Sequence, residues 1–273
     1  MQGYQQDFVS SYRDLKRWSA RAVARGAALT GLSAIQRLTG RQARALERPR
    51  VHVLLFHHVF EDEMVAFDEL VSWLERTGHV FVSYSEAIAH VVRGDIGGAY
   101  VAFSFDDGLA SCSAAGEILE RHGATGMFFL NGKMVGETDS VTVRAFCENR
   151  LRMPPTSFIS WADAERLLKV GHEIGDHTFS HRQLSSASTE QLSEELEKGR
   201  AILSHRLGPV RHFAWPYGGW PHFSVLARDA VFAAGYETCA SAVRGAHVAP
   251  STDTRFCIRR DPLVAAWPLR HVA

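Results

Sequence analysis

The sequence predicts an α/β fold, a distorted (β/α) barrel of seven or eight parallel strands that follows an N-terminal helical extension. Short apolar runs alternate with helical patterns from residue 51 onward, which is typical of parallel sheets with helical crossovers. Seven or eight such units with continuously apolar strands favour a closed barrel over an open sheet. Residues able to carry chemistry follow several of these strands, where barrels hold their active sites.

The predicted strands are short apolar segments. The clearest are 51–56 and 100–105, which are continuous apolar runs typical of buried strands. Six further strands are predicted over 80–82, 125–130, 172–174, 212–215, 236–240 and 256–259.

Helices are predicted where apolar residues recur at helical spacing and a cap or a glycine marks an end. Ser85 and Ser160 are the predicted N-caps of two of them. The predicted helices cover 64–77, 85–94, 110–122, 160–170, 188–207 and 223–234. Residues 131–158 break the alternation and are predicted to form an irregular insertion.

The composition allows one full-size core. Of the 273 residues, 46% are hydrophobic, which suits a single barrel domain. We therefore divide the chain into a helical extension over residues 1–50 and a barrel over residues 51–273. The 30 basic residues balance the 30 acidic ones, so we expect no nucleic-acid partner, because such partners require a basic excess.

The cysteines and the N-terminus bear on the location of the protein. The four cysteines, at positions 112, 147, 239 and 257, form no C-x-x-C pair, which favours buried free thiols over a zinc ribbon or a disulfide scaffold. No signal-peptide pattern is evident, so we expect a cytoplasmic protein. Residues 12–48 are rich in Arg and Ala and could form either a packed helix or a peripheral helix on the inner face of a membrane.

Two adjacent carboxylates, Asp106 and Asp107, follow the predicted strand 100–105. At a strand end one carboxylate can bind a metal ion while the other acts as general base on a metal-bound water. The alternative is a D-D-G turn that merely ends the strand.

Two histidines, His177 and His181, follow the predicted strand 172–174 and are four residues apart. In a helical turn this spacing places both imidazoles on one face, close enough to share a divalent ion. The alternative is a histidine pair on the surface or in the core.

A third cluster follows the predicted strand 212–215. Pro216 fixes the backbone there, so the amide of Tyr217 could be an oxyanion donor, whereas the alternative is a simple aromatic-proline turn. Together, one carboxylate, two histidines, a second carboxylate and a fixed amide form a complete hydrolytic site.

In order and spacing these clusters resemble the motifs of the polysaccharide deacetylases, the NodB-homology proteins of carbohydrate esterase family 4. Ser-Phe-Asp-Asp-Gly over 104–108 is similar to the family's T-F-D-D-G, and His-Thr-Phe-Ser-His over 177–181 is similar to its H-[ST]-x-x-H. Trp-Pro-Tyr-Gly over 215–218 resembles its R-x-P-Y or Y-P-Y-G motif, and 55–59 resembles the Y-H-x-V opening of one bacterial branch. The resemblance covers residues 50–262.

The resemblance implies a role for each motif residue. Asp106 would be the general base, and Asp107, His177 and His181 would hold a divalent metal, usually Zn²⁺, with Co²⁺, Mn²⁺, Fe²⁺ or Ni²⁺ as alternatives. The amide of Tyr217 would stabilise the oxyanion. His57, Trp215 and Pro216 are expected to contact the substrate, an N-acetylated polysaccharide or glycan precursor.

The chain departs from the family pattern at two places. Ala214 stands where the family often has the arginine that holds the base aspartate, and Arg259 or Arg260 could supply that charge from a neighbouring strand or form only a surface ion pair. Leu-Arg-His over 269–271 matches the last motif, L-x-H, and makes His271 the expected general acid. His57 is the competitor for that role, since it follows the first strand, and His58 would then pack away from the mouth.

Three functions are compatible with these residues. The first is hydrolysis of N-acetyl groups on a glycan. The second is hydrolysis of O-acetyl esters or of C–N bonds in small molecules, which a pocket closed by residues 131–158 would favour. The third is a non-catalytic carbohydrate-binding barrel.

Overall fold

The computed structural model describes residues 8–15, 29–31, 35, 39, 48–251 and 257–271. Over these residues nine strands form one sheet. They are β1 (Arg50–Phe56), β2 (Val80–Phe81), β3 (Ala99–Phe105), β4 (Gly126–Leu130), β5 (Glu173–Asp176), β6 (His212–Ala214), β7 (Thr238–Ala240), β8 (Cys257–Ile258) and β9 (Asp261–Pro262).

The sheet is parallel and curls into a barrel. Its strand order is β8-β7-β6-β5-β4-β3-β1-β9, with β2 beside β3, and all of these pairs are parallel. The first and last strands of this order are consecutive in the chain and are joined by Arg259 and Arg260 alone. The predicted distorted barrel is therefore confirmed, and the joint between its two ends is the two-residue link from β8 to β9.

Alternate residues of the strands face the barrel interior and the surrounding helices, as the two-residue period of a strand requires. Val53, Ala102 and Phe129 belong to the apolar cluster inside the barrel. Leu54 and Phe103 belong to the larger cluster between the sheet and the helices. The strands are buried on both sides, which explains why their sequences are continuously apolar.

Eight α-helices are described from their first to their last residue, and residues 29–31 and 35 are helical as well. The eight are α1 (Tyr12–Leu15), α2 (Met64–Arg76), α3 (Tyr84–Arg93), α4 (Cys112–Arg121), α5 (Ser140–Phe146), α6 (Trp161–Lys169), α7 (Thr189–Leu207) and α8 (Val225–Ala233). The eight predicted strands and six predicted helices are all present, with ends that differ from the prediction by at most two residues. Strand β9 was not predicted.

Two local predictions are wrong. The N-cap of α3 is Ser83, not Ser85, because Ser83 is extended and its side chain forms a capping box with Glu86. Residues 131–158 are not wholly irregular, since they contain α5 and a π-helical turn at Cys147–Leu151. This segment is ordered because it buries a small apolar core, which comprises Leu109, Met134, Val143, Phe146, Cys147 and Phe158.

The N-terminal segment 8–15 packs on loops of the barrel. The Val9 N–H donates to the Pro155 carbonyl at 2.8 Å, and the Tyr12 N–H donates to the Asp62 carboxylate at 2.8 Å. Most of the predicted extension over 1–50, and of the proposed membrane helix over 12–48, lies outside the described residues. None of the helices that are described has the length and apolar character needed to cross a membrane.

Candidate metal centre and catalytic site

The paired carboxylates lie at the carboxyl end of β3, at the mouth of the barrel. Asp106 and Asp107 are only 3% and 6% exposed, and Asp107 has a left-handed backbone with φ 71°. Two buried carboxylates, one of them on a left-handed backbone, are typical of functional sites and unlike a solvated turn that merely ends a strand.

His177 and His181 follow β5 in a loop, so the expected helical turn is wrong. Thr178 and His181 have φ values of 65° and 54°, which interrupt a helix. The Asn131 side-chain amide donates to the carbonyls of His177 at 2.6 Å and of Thr178 at 3.3 Å. The loop is thus held by β4, and it still brings both imidazoles to Asp107.

Asp107, His177 and His181 form a buried three-ligand cluster. Each offers one ligand atom, and these atoms lie within 4.8 Å of one another. The two Nε2 atoms are 3.4 and 3.2 Å from Asp107 Oδ1, which is nevertheless without a hydrogen-bond partner among the described residues. An orphaned carboxylate oxygen facing two imidazole nitrogens fits a divalent metal ion such as zinc.

A hydrogen bond orients His177 for metal binding, and the negative charges around it mean that an ion must displace a proton from this ring. His177 Nδ1 is 2.8 Å from the Ala214 carbonyl, so Nδ1 is the protonated nitrogen and the Nε2 lone pair faces Asp107. Burial opposes ionisation of Asp107, but the two imidazoles hold the pKa of Asp107 well below its ordinary value. Burial likewise opposes the charge of His177, yet Asp106 and Asp107 raise the pKa of His177.

Arg260 holds Asp106 in a buried bidentate ion pair. Both guanidinium Nη atoms lie 2.7 Å from the two carboxylate oxygens, and the Arg260 Nε–H donates to the Ser241 carbonyl at 2.7 Å. Burial would raise the pKa of Asp106, but the Arg260 charge lowers it below its ordinary value. The pair is completely buried on the arginine side, so the alternative of a surface ion pair is wrong, and Arg259 is exposed.

Tyr217 lies beside the ligand cluster. Its ring centroid is 4.8 Å from that of His181, and its backbone is left-handed with φ 63°. Within the described part of the chain, no acceptor lies in hydrogen-bonding position to the Tyr217 N–H. The neighbouring Trp215 is completely buried and stacks on Phe223 at 4.1 Å, and Pro216 is buried as well. Their side chains therefore do not fit the expected substrate contacts.

The two candidate proton donors, His57 and His271, lie in different parts of the structure, and only His57 lies next to a strand end at the proposed site. His57 is exposed directly after the end of β1, and a positive charge there would lower the pKa of Asp106 and of Asp107, so His57 lies on the same side of the sheet as the two carboxylates. His58 packs away, 2.6 Å from buried Glu63. His271 Nε2 is 2.9 Å from Thr30 Oγ1, and among the contacts of the described residues none joins His271 to the cluster.

The sequence reasoning missed two residues that shape the site, Asn131 and Glu195. Asn131 directly follows β4, so the rule that found the other residues at strand ends could have found it. Glu195 is a buried carboxylate on α7 that accepts the Ser180 N–H at 2.7 Å. Its signal in the sequence is weak, because a glutamate within a polar helix is ordinary.

The comparisons with known proteins agree with this geometry. The family model described as "Polysaccharide deacetylase" matches residues 93–239. The chitooligosaccharide deacetylase of Azorhizobium caulinodans is 30% identical over 121 residues, which are 43% of this chain and 47% of that protein. The peptidoglycan-N-acetylglucosamine deacetylase of Bacillus cereus is 28% identical over 139 residues, 50% of this chain and 42% of that protein. The matches thus span less than half of either relative.

Two solved structures share the fold. IcaB from Ammonifex degensii superposes with a TM-score of 0.65 at 20% identity, covering 80% of this chain and 93% of that one. The Streptococcus pyogenes deacetylase PplD, in complex with acetate, also has a TM-score of 0.65, at 15% identity, covering 82% of this chain and 96% of that one. At these identities the likeness concerns the fold alone.

Proposed function

Because this chain belongs to the polysaccharide deacetylase family, we propose that it is a metal-dependent hydrolase that removes N-acetyl groups from a glycan. One observation carries the proposal. The buried cluster Asp107, His177 and His181 and the Asp106–Arg260 pair lie together at the barrel mouth. A non-catalytic barrel would have no use for a buried, ionised carboxylate beside a potential metal site.

Asp107, His177 and His181 would hold the ion. Their mixed oxygen and nitrogen donors suit Zn²⁺, and they also accommodate Co²⁺, Mn²⁺, Fe²⁺ or Ni²⁺. When bound, the ion would polarise the acetyl carbonyl and make an attacking water more acidic.

Asp106 is the proposed general base. Its lowered pKa keeps it ionised near neutral pH, and each carboxylate oxygen retains a lone pair beyond the one that Arg260 occupies. Asp106 can therefore accept the proton of the attacking water while Arg260 fixes the orientation of the carboxylate.

Tyr217 and His57 complete the proposed chemistry. The Tyr217 N–H would donate to the acetyl oxygen as that oxygen gains negative charge. His57, exposed at the mouth, would contact the substrate and return a proton to the leaving amine. We prefer His57 to His271 in this role, because the side chain of His271 is directed to Thr30.

Two relatives support an N-acetylglucosamine glycan as the substrate. They are the proteins named chitooligosaccharide deacetylase and peptidoglycan-N-acetylglucosamine deacetylase. The ester and small-molecule alternatives use the same metal cluster, so the substrate assay must separate them.

The test is acetate release from N-acetylglucosamine oligomers by protein freed of metal and then reloaded with zinc or cobalt. We expect release only with metal, and a loss of at least about 100-fold in kcat for Asp106→Asn, since general-base catalysis contributes that much. Asp95→Asn is the matched control, since the Asp95 side chain is 75% exposed. Release from O-acetyl esters but from no N-acetyl glycan would refute the proposed substrate.

A further inference from the structure

A half-exposed tryptophan lies three residues after Tyr217, in the loop that follows β6. Trp220 is 52% exposed, and among the large hydrophobic residues exposed in the described ranges it is the single aromatic one. Val225 and Leu226, at 66% and 55% exposure, follow it closely in sequence. An exposed indole offers a large flat apolar face, and tryptophan is enriched at binding surfaces.

Ring contacts connect this surface to the ligand cluster. His181 contacts Tyr217, whose ring in turn lies 5.2 Å from that of His222. His222 shares a short 3₁₀ turn with Trp220. The indole of Trp220 packs 5.7 Å from the buried indole of Trp215. Trp220 therefore belongs to the same loop as Tyr217 and is connected to His181 through the rings of His222 and Tyr217, and it is not one of the three candidate ligands.

The loop that carries Trp220 is rigid. Gly218 has φ 60°, and a Cβ at this position would overlap the Cβ of Ala242. The Gly218 N–H donates to the Trp215 carbonyl at 3.2 Å, and the Ala242 N–H donates to the Gly218 carbonyl at 2.8 Å. Because the loop is held in place, the Trp220 side chain loses little conformational entropy when it binds a ligand.

We propose that Trp220 is the platform of a second sugar subsite, on which the pyranose next to the acetylated sugar stacks. This inference rests on the proposed function. The C–H face of a pyranose packs well on the electron-rich face of an indole. Its hydroxyl groups would meet polar neighbours at the mouth, namely His222 and exposed Arg152, whose guanidinium lies 5.8 Å from the Tyr217 ring.

A sugar fits this surface better than a lipid does. The apolar area consists of one ring and two aliphatic side chains, and the side chains of Arg228 and Asp229 pair with each other nearby at 3.1 Å. A membrane-binding surface needs a longer apolar face with a basic border. Trp220 therefore determines the preferred length of the glycan rather than the site of attachment to a bilayer.

The experiment compares Trp220→Ala, Trp220→Phe and the parent protein on N-acetylglucosamine oligomers of one to five sugars. For the longer oligomers we expect Trp220→Ala to raise KM about tenfold with kcat nearly unchanged, which corresponds to the loss of one ring stack. The shortest substrate should be unaffected, and Trp220→Phe should restore most of the KM. Val80→Ala is the control, since Val80 is 49% exposed at the amino end of β2.

An equal loss at every substrate length, or no loss at any, would overturn the subsite while leaving the proposed function intact. If no substrate is turned over, a binding measurement still tests the sugar subsite separately from the proposed hydrolytic function. In Asp106→Asn protein, the N-acetylglucosamine tetramer should shield tryptophan emission from iodide, and the shielding should vanish when Trp220→Ala is added. Shielding by phosphatidylglycerol vesicles but not by the tetramer would overturn the inference in favour of a lipid.

Discussion

Arg260 is the side chain that keeps Asp106 charged inside the barrel. Its guanidinium is completely buried, and its hydrogen bonds go to Asp106, Ser104 and the Ser241 carbonyl. Removal of either partner of such a pair leaves an uncompensated buried charge, which typically destabilises a protein by about 3–5 kcal/mol.

We expect Arg260→Gln to affect both stability and the pH profile. The folded pKa of Asp106 lies below its unfolded value, so the pair stabilises the protein above the unfolded pKa and is lost as pH falls through the folded one. Without the cation the pKa of Asp106 rises, and the acid limb of the kcat/KM profile moves to higher pH. Unfolding in urea should show a loss of about 3–5 kcal/mol.

A double variant separates the two effects. Asp106→Asn combined with Arg260→Gln removes both charges, so it should recover part of the stability but none of the activity. An acid limb that stays in place in Arg260→Gln would contradict the role we give to this arginine.

Two adjacent glycines give a matched test of the Tyr217 loop. Gly218→Ala places a Cβ against Ala242 at a positive φ, so it should destabilise the protein by about 1–3 kcal/mol and lower kcat by displacing the Tyr217 amide. Gly219 has φ −89°, and a Cβ there meets nothing closer than 3.6 Å. Gly219→Ala should therefore change stability by less than about 0.5 kcal/mol. Equal effects in the two variants, measured by thermal unfolding and acetate release, would refute this account.

At the scale of elements, the strands and the ligand set were predictable from sequence. Apolar runs and residues that follow strands depend on local patterns, so Asp106, Asp107, His177 and His181 could be found before the fold was known. The path of the His177–His181 loop was not predictable, because it depends on hydrogen bonds from Asn131, 46 positions away.

The choice between Arg259 and Arg260 also required the structure. Alternate residues of a strand face opposite sides, and the register of β8 and β9 decides which arginine enters the barrel. Trp215 shows that membership of a motif does not reveal whether a side chain is exposed. Its position in the motif suggested substrate contact, whereas its side chain is part of the core.

The amino ends of the strands hold a buried histidine that makes stability depend on pH. His212 begins β6, 2.8 Å from Ser85 Oγ and 3.0 Å from Thr238 Oγ1. Burial lowers the pKa of His212 from 6.5 to about 4. Between these values the unfolded chain binds the proton and the folded chain does not, so stability should fall as pH is lowered from 6.5 to 4, by up to about 3 kcal/mol.

His212→Gln should flatten this dependence in urea unfolding at a series of pH values. The variant must be compared with the parent protein at each pH, because Asp176 affects the pH dependence of stability in the opposite direction. Burial raises the pKa of Asp176 to about 7, so its contribution is lost as pH rises to that value. An identical pH dependence in the variant and the parent would refute the assignment to His212.

At the scale of the whole molecule, the proposed metal site joins distant parts of the chain. Its ligands follow β3 and β5, and the base is held from the link between β8 and β9. An ion that binds only the folded state should stabilise all of these elements together, by about 4 kcal/mol at a thousandfold excess over its Kd.

Thermal unfolding with and without a chelator measures this linkage. The Tm should fall when metal is removed and recover when zinc is added back. Asp107→Asn should have a Tm that responds far less to either treatment, because one of the three ligands is weakened. A parent protein whose Tm ignores both chelator and zinc would contradict the metal assignment.

The joint at Arg259 and Arg260 has a consequence for the newly made chain. The ribosome releases Asp106, Asp107, His177 and His181 long before residue 260, so a nascent barrel can gather its metal ligands first. Asp106, the proposed base, lacks its counter-ion until Arg260 has been made and β8 and β9 have joined the sheet. The proposed hydrolysis therefore requires β8 and β9 to be in place, because the arginine that orients Asp106 lies in the link between them.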